Sequence, residues 1–168
     1  MEAFFKIIDN VNEWVGRIFS WLIIPLVAIV VVEILLRNLF NSPTTWSFEV
    51  SKQVYGLYFM ICAGYTLKHQ GHVAIDVFSQ SFSPKTQNIV EVICYLLFFF
   101  PFCLVLLYYG AIFAAKSWQM LETGWGVFAI PLYPIKTIIP ITALLLLLQG
   151  AASFIRKLAS IVSGGNNV

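Results

Sequence analysis

The chain has 168 residues, 60% of them hydrophobic and 11% charged, with a mean hydropathy of +0.85 and a formal net charge of +2. A soluble domain is nearer ~45–50% apolar and ~25% charged, and a globule this small cannot hide so much apolar surface from water. The composition therefore excludes a soluble domain and makes a bilayer the solvent for much of the chain, while the small charge and the lack of a long basic run exclude nucleic acid as a partner.

The opening stretch, MEAFFKIIDNVNEW, lacks the basic region, apolar core and small-residue cleavage site of a secretory leader, so none is expected. Phe4, Ile7, Ile8, Val11, Val15 and Ile18 recur at helical spacing, and Lys6, Asp9, Glu13 and Arg17 take the other face. Residues 1–17 are predicted to form an amphipathic helix lying at the membrane surface with its polar side in water. Four apolar stretches follow, at about 18–40, 46–67, 89–115 and 135–155, each near the ~20 residues needed to cross a bilayer. In lipid every backbone polar group must be satisfied internally, which requires these to be helices. The predicted fold is one all-α integral membrane domain over residues 1–168. It has four transmembrane helices, an N-terminal amphipathic interfacial helix and a tail at 156–168.

Charges at membrane depth are costly and usually paired. Glu33 and Arg37 stand one helical turn apart, Glu49 and Lys52 three residues apart, and the short turn NLFNSPTT joins the two segments. This spacing predicts an ion-pair cluster of Glu33, Arg37, Glu49 and Lys52 with Arg37 as its hub, because a guanidinium fork can serve two carboxylates. Glu91, early in the third span, is expected at the headgroup border.

Between the second and third spans lies KHQGHVAIDVF, the most polar stretch, with both histidines and Asp76. On a helix His69, His72 and Asp76 would share a face, as metal ligands can. Three ligands interrupted by Gly71 make a weak site, however, and a structured connector is the preferred reading. Ser83 before Pro84 marks the next helix start. The connection KSWQMLETGWGVFAIPLYP is long. Its glycines and prolines break helix, while Trp125, Phe128, Ile130 and Leu132 keep it apolar, so it is expected to rest on the membrane or on another protein.

Lys6, Arg17, Lys68, Lys85, Arg156 and Lys157 fall on the side of the termini, and Arg37, Lys52, Lys116 and Lys136 on the other; the bias predicts both termini in the cytoplasm. Cys62, Cys94 and Cys103 lie in apolar stretches without a C-x-x-C pair and read as small apolar filler. No histidine lies within a span where haem would need it, and no nucleophile motif is present. The chain is read as a non-enzyme with no cofactor and no catalytic or metal site.

Four pieces in this order resemble one family: EILLRNLFNSPTTWSFEVSK, GHVAID, SWQMLETGWGVFAIPLYPIKTIIP, and the four-helix length itself. Over about residues 10 to 157 the chain resembles the small membrane subunit, the Q or DctQ type, of tripartite ATP-independent periplasmic (TRAP) transporters. One departure is Ala74, where relatives often carry a basic residue. The resemblance implies a scaffold subunit in the bacterial inner membrane, paired with a large multi-span M-type permease subunit. A periplasmic substrate-binding protein delivers an organic acid, a carboxylate or sulfonate, and sodium drives its uptake. It also makes Trp46, Gly71, His72, Asp76, Trp125, Pro131 and Tyr133 candidate partner contacts, with membrane lipids as further neighbours. The alternatives are a self-sufficient small four-helix exporter using Glu33, and a non-catalytic structural subunit of another membrane complex.

Overall fold

A computed structural model describes residues 2–69, 84–126 and 128–162. Helix α1 (Glu2–Ser20) is followed after a turn at Trp21–Leu22 by α2 (Ile23–Leu39). The break has a local cause. Pro25 lacks the N–H that would bond the Trp21 carbonyl, and Trp21 and Leu22 bond back to Ile18 and Phe19 in tighter turns instead. A short turn leads to α3 (Ser47–Lys68). After the connector come α4 (Pro84–Cys94), a π-helical turn (Tyr95–Phe99) and α5 (Phe100–Gln119), which together form one long rod. Pro101 accounts for the π turn. It has no N–H for the Leu97 carbonyl, and the wider turn, closed by the Phe100 N–H on the Tyr95 carbonyl, takes up the mismatch. A one-turn helix α6 (Tyr133–Lys136) then leads into α7 (Ile138–Val162).

Among the described residues the architecture is all-helical; the one β-type contact is an isolated bridge between Thr123 and Pro131. Three helical runs are long and apolar enough to cross a membrane: Phe5–Leu39, Thr86–Gln119 and Tyr133–Ala159. The expected second span coincides with α3, whose 22 residues reach about 33 Å at ~1.5 Å per residue. It is long enough but less apolar than the other three, because it carries Glu49, Lys52, Gln53 and Lys68.

The bundle centres on α3 and α7. Helix α5 packs along α7, α3 packs on α1 and α7, and α2 meets the bundle mainly through α3. Close approach is set by glycines. A side chain at Gly16 would strike Tyr65, and one at Gly150 would strike Phe99. Buried apolar residues are few among those described, and the small ones, Ala114, Ala143, Ala152 and Cys103, are more deeply buried than Ile8, Leu26, Ile61 and Leu146. Large apolar side chains such as Val27, Leu104 and Leu144 face outward. That inversion suits a lipid solvent, in which helices associate by packing of small residues and a few polar bonds.

Helix α1 is amphipathic as its periodicity predicts, but its polar face is divided: Lys6 and Arg17 are exposed, whereas the groups between them turn inward. Asp9, Asn12 and Glu13 turn onto α3 and α7, while Ile7, Val11, Trp14 and Ile18 are exposed. The physical reason is the solvent: beside lipid the apolar stripe is the solvated face, and polar groups find their partners inside the protein.

Candidate docking faces at the two poles of the bundle

The bundle has two poles. The terminal pole gathers α1 and the C-terminal ends of α3 and α7; the hairpin pole gathers the α2–α3 turn, the end of α5, the long loop and α6.

The terminal pole is a connected polar layer. Asn12 and Gln149 are 2% and 1% exposed, and the Asn12 amide donates to the Gln149 carbonyl oxygen at 2.9 Å. The Gln149 amide in turn donates to Asp9 Oδ1 at 2.9 Å, and Arg156 pairs with Asp9 Oδ2. One turn along α1, Glu13 accepts from Lys68 Nζ and contacts His69 Nε2, each at 2.8 Å, and pairs with Arg17 at 2.9 Å. Lys157 pairs with Glu91, and Tyr95 hydrogen-bonds Ser153, which ties α4 and the π turn to α7. Four helices are thus joined by side chains that bond one another in a low-dielectric setting, where such bonds strengthen; Asn12 Oδ1 is the buried acceptor of this layer that has no partner among the described residues. The sequence carried a signal for this layer: Gln149 stands alone in LLLLLQGAAS, and a lone amide in an apolar run needs a buried partner.

The hairpin pole is different. The expected ion-pair cluster does not form: among the described residues no ion pair joins any two of Glu33, Arg37, Glu49 and Lys52. Glu33 instead accepts from the Thr44 backbone at 3.2 Å, from the Thr44 hydroxyl and from Ser47, so the carboxylate closes the α2–α3 turn. The turn is close enough that neutral local donors win over a guanidinium on a long stem. Glu49 reaches the long loop, where its carboxylate occupies the space a side chain at Gly126 would need, and its Oε2 is buried without a partner. Lys52 lies over the Phe48 ring at 5.6 Å. Arg37, one turn from Glu33, remains exposed with no ion pair.

The loop from Met120 to Leu132 is a narrow turn held by two backbone bonds, Gly124 N–H to Ile130 O at 2.8 Å and Leu132 N–H to Glu122 O at 2.9 Å. Leu121 and Ala129 adopt positive φ of 46° and 44°, a strain of order 1–3 kcal/mol each for a non-glycine residue. A polar clamp offsets it. Glu122 accepts from Lys136 and from the Ser117 hydroxyl, and these hold its carboxyl below the ordinary carboxylate range. Trp118 donates to Thr137 at 2.8 Å, and its ring tilts against Tyr133 at 4.5 Å between centroids.

Of the candidate partner contacts, Trp125 at the loop tip is fully exposed, Trp46 is partly exposed at the start of α3, Pro131 is exposed beside Thr123, and Tyr133 is held by Trp118. Gly71, His72 and Asp76 lie outside the described residues. His69 is spent on Glu13 and stacks obliquely on Tyr65 at 4.4 Å.

Among the described residues the chain is a helical bundle with three runs long and apolar enough to cross a membrane, the general class of helical membrane proteins. Residues 26–160 match the family described as tripartite ATP-independent periplasmic transporters, DctQ component, and the chain belongs to that family. This is a family of transporter components, not of enzymes. The chain is also 30% identical, over 94 residues, to the sialic acid TRAP transporter permease protein SiaT of Haemophilus influenzae (strain 86-028NP). That match covers 56% of this chain and only 15% of the relative's length.

Proposed function

We propose that this chain is the small scaffold subunit of a sodium-driven TRAP transporter for an organic acid, working with a large permease subunit and a periplasmic binding protein. The observation that carries the reading is the family match over residues 26–160. The matched stretch is 15% of a relative whose name is that of a permease protein, which supports a small region that works together with a larger permease. The substrate in that relative's name is an acid, in keeping with uptake of a carboxylate or sulfonate. In this reading α2, α3, the α4–α5 rod and α7 are the four crossings. The terminal pole is cytoplasmic, where its Lys and Arg residues agree with the positive-inside rule, and the membrane is the bacterial inner membrane. Glu33, spent on Thr44 and Ser47, is not the free carboxylate an exporter would need.

The test is to tag this chain, extract native membranes gently and identify what accompanies it. A stoichiometric large membrane protein is the expected result; a homo-oligomer alone that transports solute in vesicles would overturn the scaffold reading.

A further inference from the structure

The poles treat their cations differently. At the terminal pole Arg17, Lys68, Arg156 and Lys157 each meet a carboxylate. At the hairpin pole Lys136 meets Glu122, but Arg37 in the last turn of α2, Lys52 in the second turn of α3 and Lys116 near the end of α5 meet none among the described residues, as is also true of the exposed Lys6 on α1. Arg37 and Lys52 are both exposed. Of the two carboxylates nearest them in sequence, Glu33 accepts from Thr44, and Glu49 lies against the loop beside Gly126 with its Oε2 buried and unpartnered. Around these cations the hairpin is apolar and outward-facing: Val31 and Leu39 on α2, Phe48, Tyr55 and Phe59 on α3. Helix α2 buries only Leu26 against its own chain.

A lipid could cover a purely apolar face, and the outward face of the α4–α5 rod is of that kind apart from Lys116 at its end. Helix α3 is less suited to lipid. It is less apolar than α2, α5 and α7, and Lys52 stands five residues from its start, where a charge beside lipid must reach out to the headgroups or find a partner. An interface with another protein resolves both features, since it can supply carboxylates at fixed positions and shield α3 from lipid. The match to 15% of a relative named as a permease protein is in keeping with a permease chain as that other protein.

We propose that the outward face of the α2–α3 hairpin is the seat of the large permease chain, which presents carboxylates to Arg37 and Lys52. The inference rests on the scaffold reading above and adds to it the face and the charge of the contact.

The experiment co-expresses the tagged chain with the large permease of its transporter and measures the permease retained in mild detergent at moderate salt. The double variant R37Q/K52Q is expected to lower retention at least about tenfold, as loss of desolvated interface charges does, while K116Q on α5 leaves it unchanged. Equal retention by the double variant and the native chain would overturn the proposal. In parallel, a photo-crosslinking residue replaces Val31 or Phe59 on the proposed face, or Leu104 or Leu144 on the outward faces of α5 and α7. Crosslinks to the permease from the first pair alone support the seat. Crosslinks from the second pair alone, or lipid adducts only from the first pair, overturn it even if the charge variants fold poorly. If the native chain retains no permease at all, the scaffold reading falls and this inference with it, an outcome distinct from loss in the variants only.

Discussion

The terminal and hairpin poles are built from similar residues and reach opposite solutions. At the first, Asp9, Asn12, Glu13 and Gln149 are locked to partners on other helices, and almost every polar atom answers another in the same chain. At the second, Glu33 closes the local turn, Glu49 lies against the loop with one oxygen unpartnered, and the exposed cations of the hairpin have no ion pair among the described residues. The difference teaches where this chain holds itself together and where it has interactions left for something else. A satisfied buried network fixes a unique packing, whereas an exposed cation on an apolar helix contributes little until a partner desolvates it.

The largest expected effect is at the terminal pole. Gln149→Ala removes the bridge between Asn12 and Asp9 and leaves both short of a partner. Asn12 keeps its bond to the Ile8 carbonyl and Asp9 its pair with Arg156, so a loss of about 1–3 kcal/mol in all is expected, seen as a lower thermal midpoint in detergent. Asn12→Leu combined with Gln149→Leu should lose less than the sum of the two single changes, because neither orphans the other. Additive losses would mean that the two amides act separately.

Next comes helix approach. Gly16→Val puts a branched side chain into Tyr65 and should cost about 1–3 kcal/mol as α1 is forced away. Protease access to α1 would report the separation, and unchanged access would show that α1 is not seated on α3.

A smaller effect is expected from acid at the hairpin pole. The Glu122 carboxyl is held low by Lys136 and Ser117. A depressed carboxylate stabilises the fold above its unfolded pKa, about 4.3 for glutamate, and the contribution is lost as pH falls through the lower folded value. Fluorescence of a variant that keeps only Trp118 should therefore change below that unfolded value, and Glu122→Gln should remove the transition.

The smallest effect on the isolated chain is expected from Arg37→Gln, within about 0.5 kcal/mol, as for surface changes away from a network. A large loss of stability in the absence of other subunits would mean that Arg37 serves its own bundle, and it would erase the contrast between the poles.

Much of this was legible along the chain. Runs of apolar residues near the length of a bilayer crossing, with period 3.6 in α1, specify helices wherever the solvent is lipid, because an unsatisfied backbone has no alternative there. Proline and glycine positions marked the loop, and the ordered motifs pointed to the family, but the break at Trp21–Leu22 ahead of Pro25 falls inside the expected first span. What the tertiary structure alone decided is which way each polar group turns. The spacing of Glu33 and Arg37 allowed an ion pair, but the folded turn brought Thr44 and Ser47 closer. The polar stripe of α1 could have faced water, but Gln149, 137 residues beyond Asn12, offered a buried partner. Spacing lists the contacts a helix can make with itself; only the packing of distant helices determines which polar groups meet, and so which charges remain for another chain.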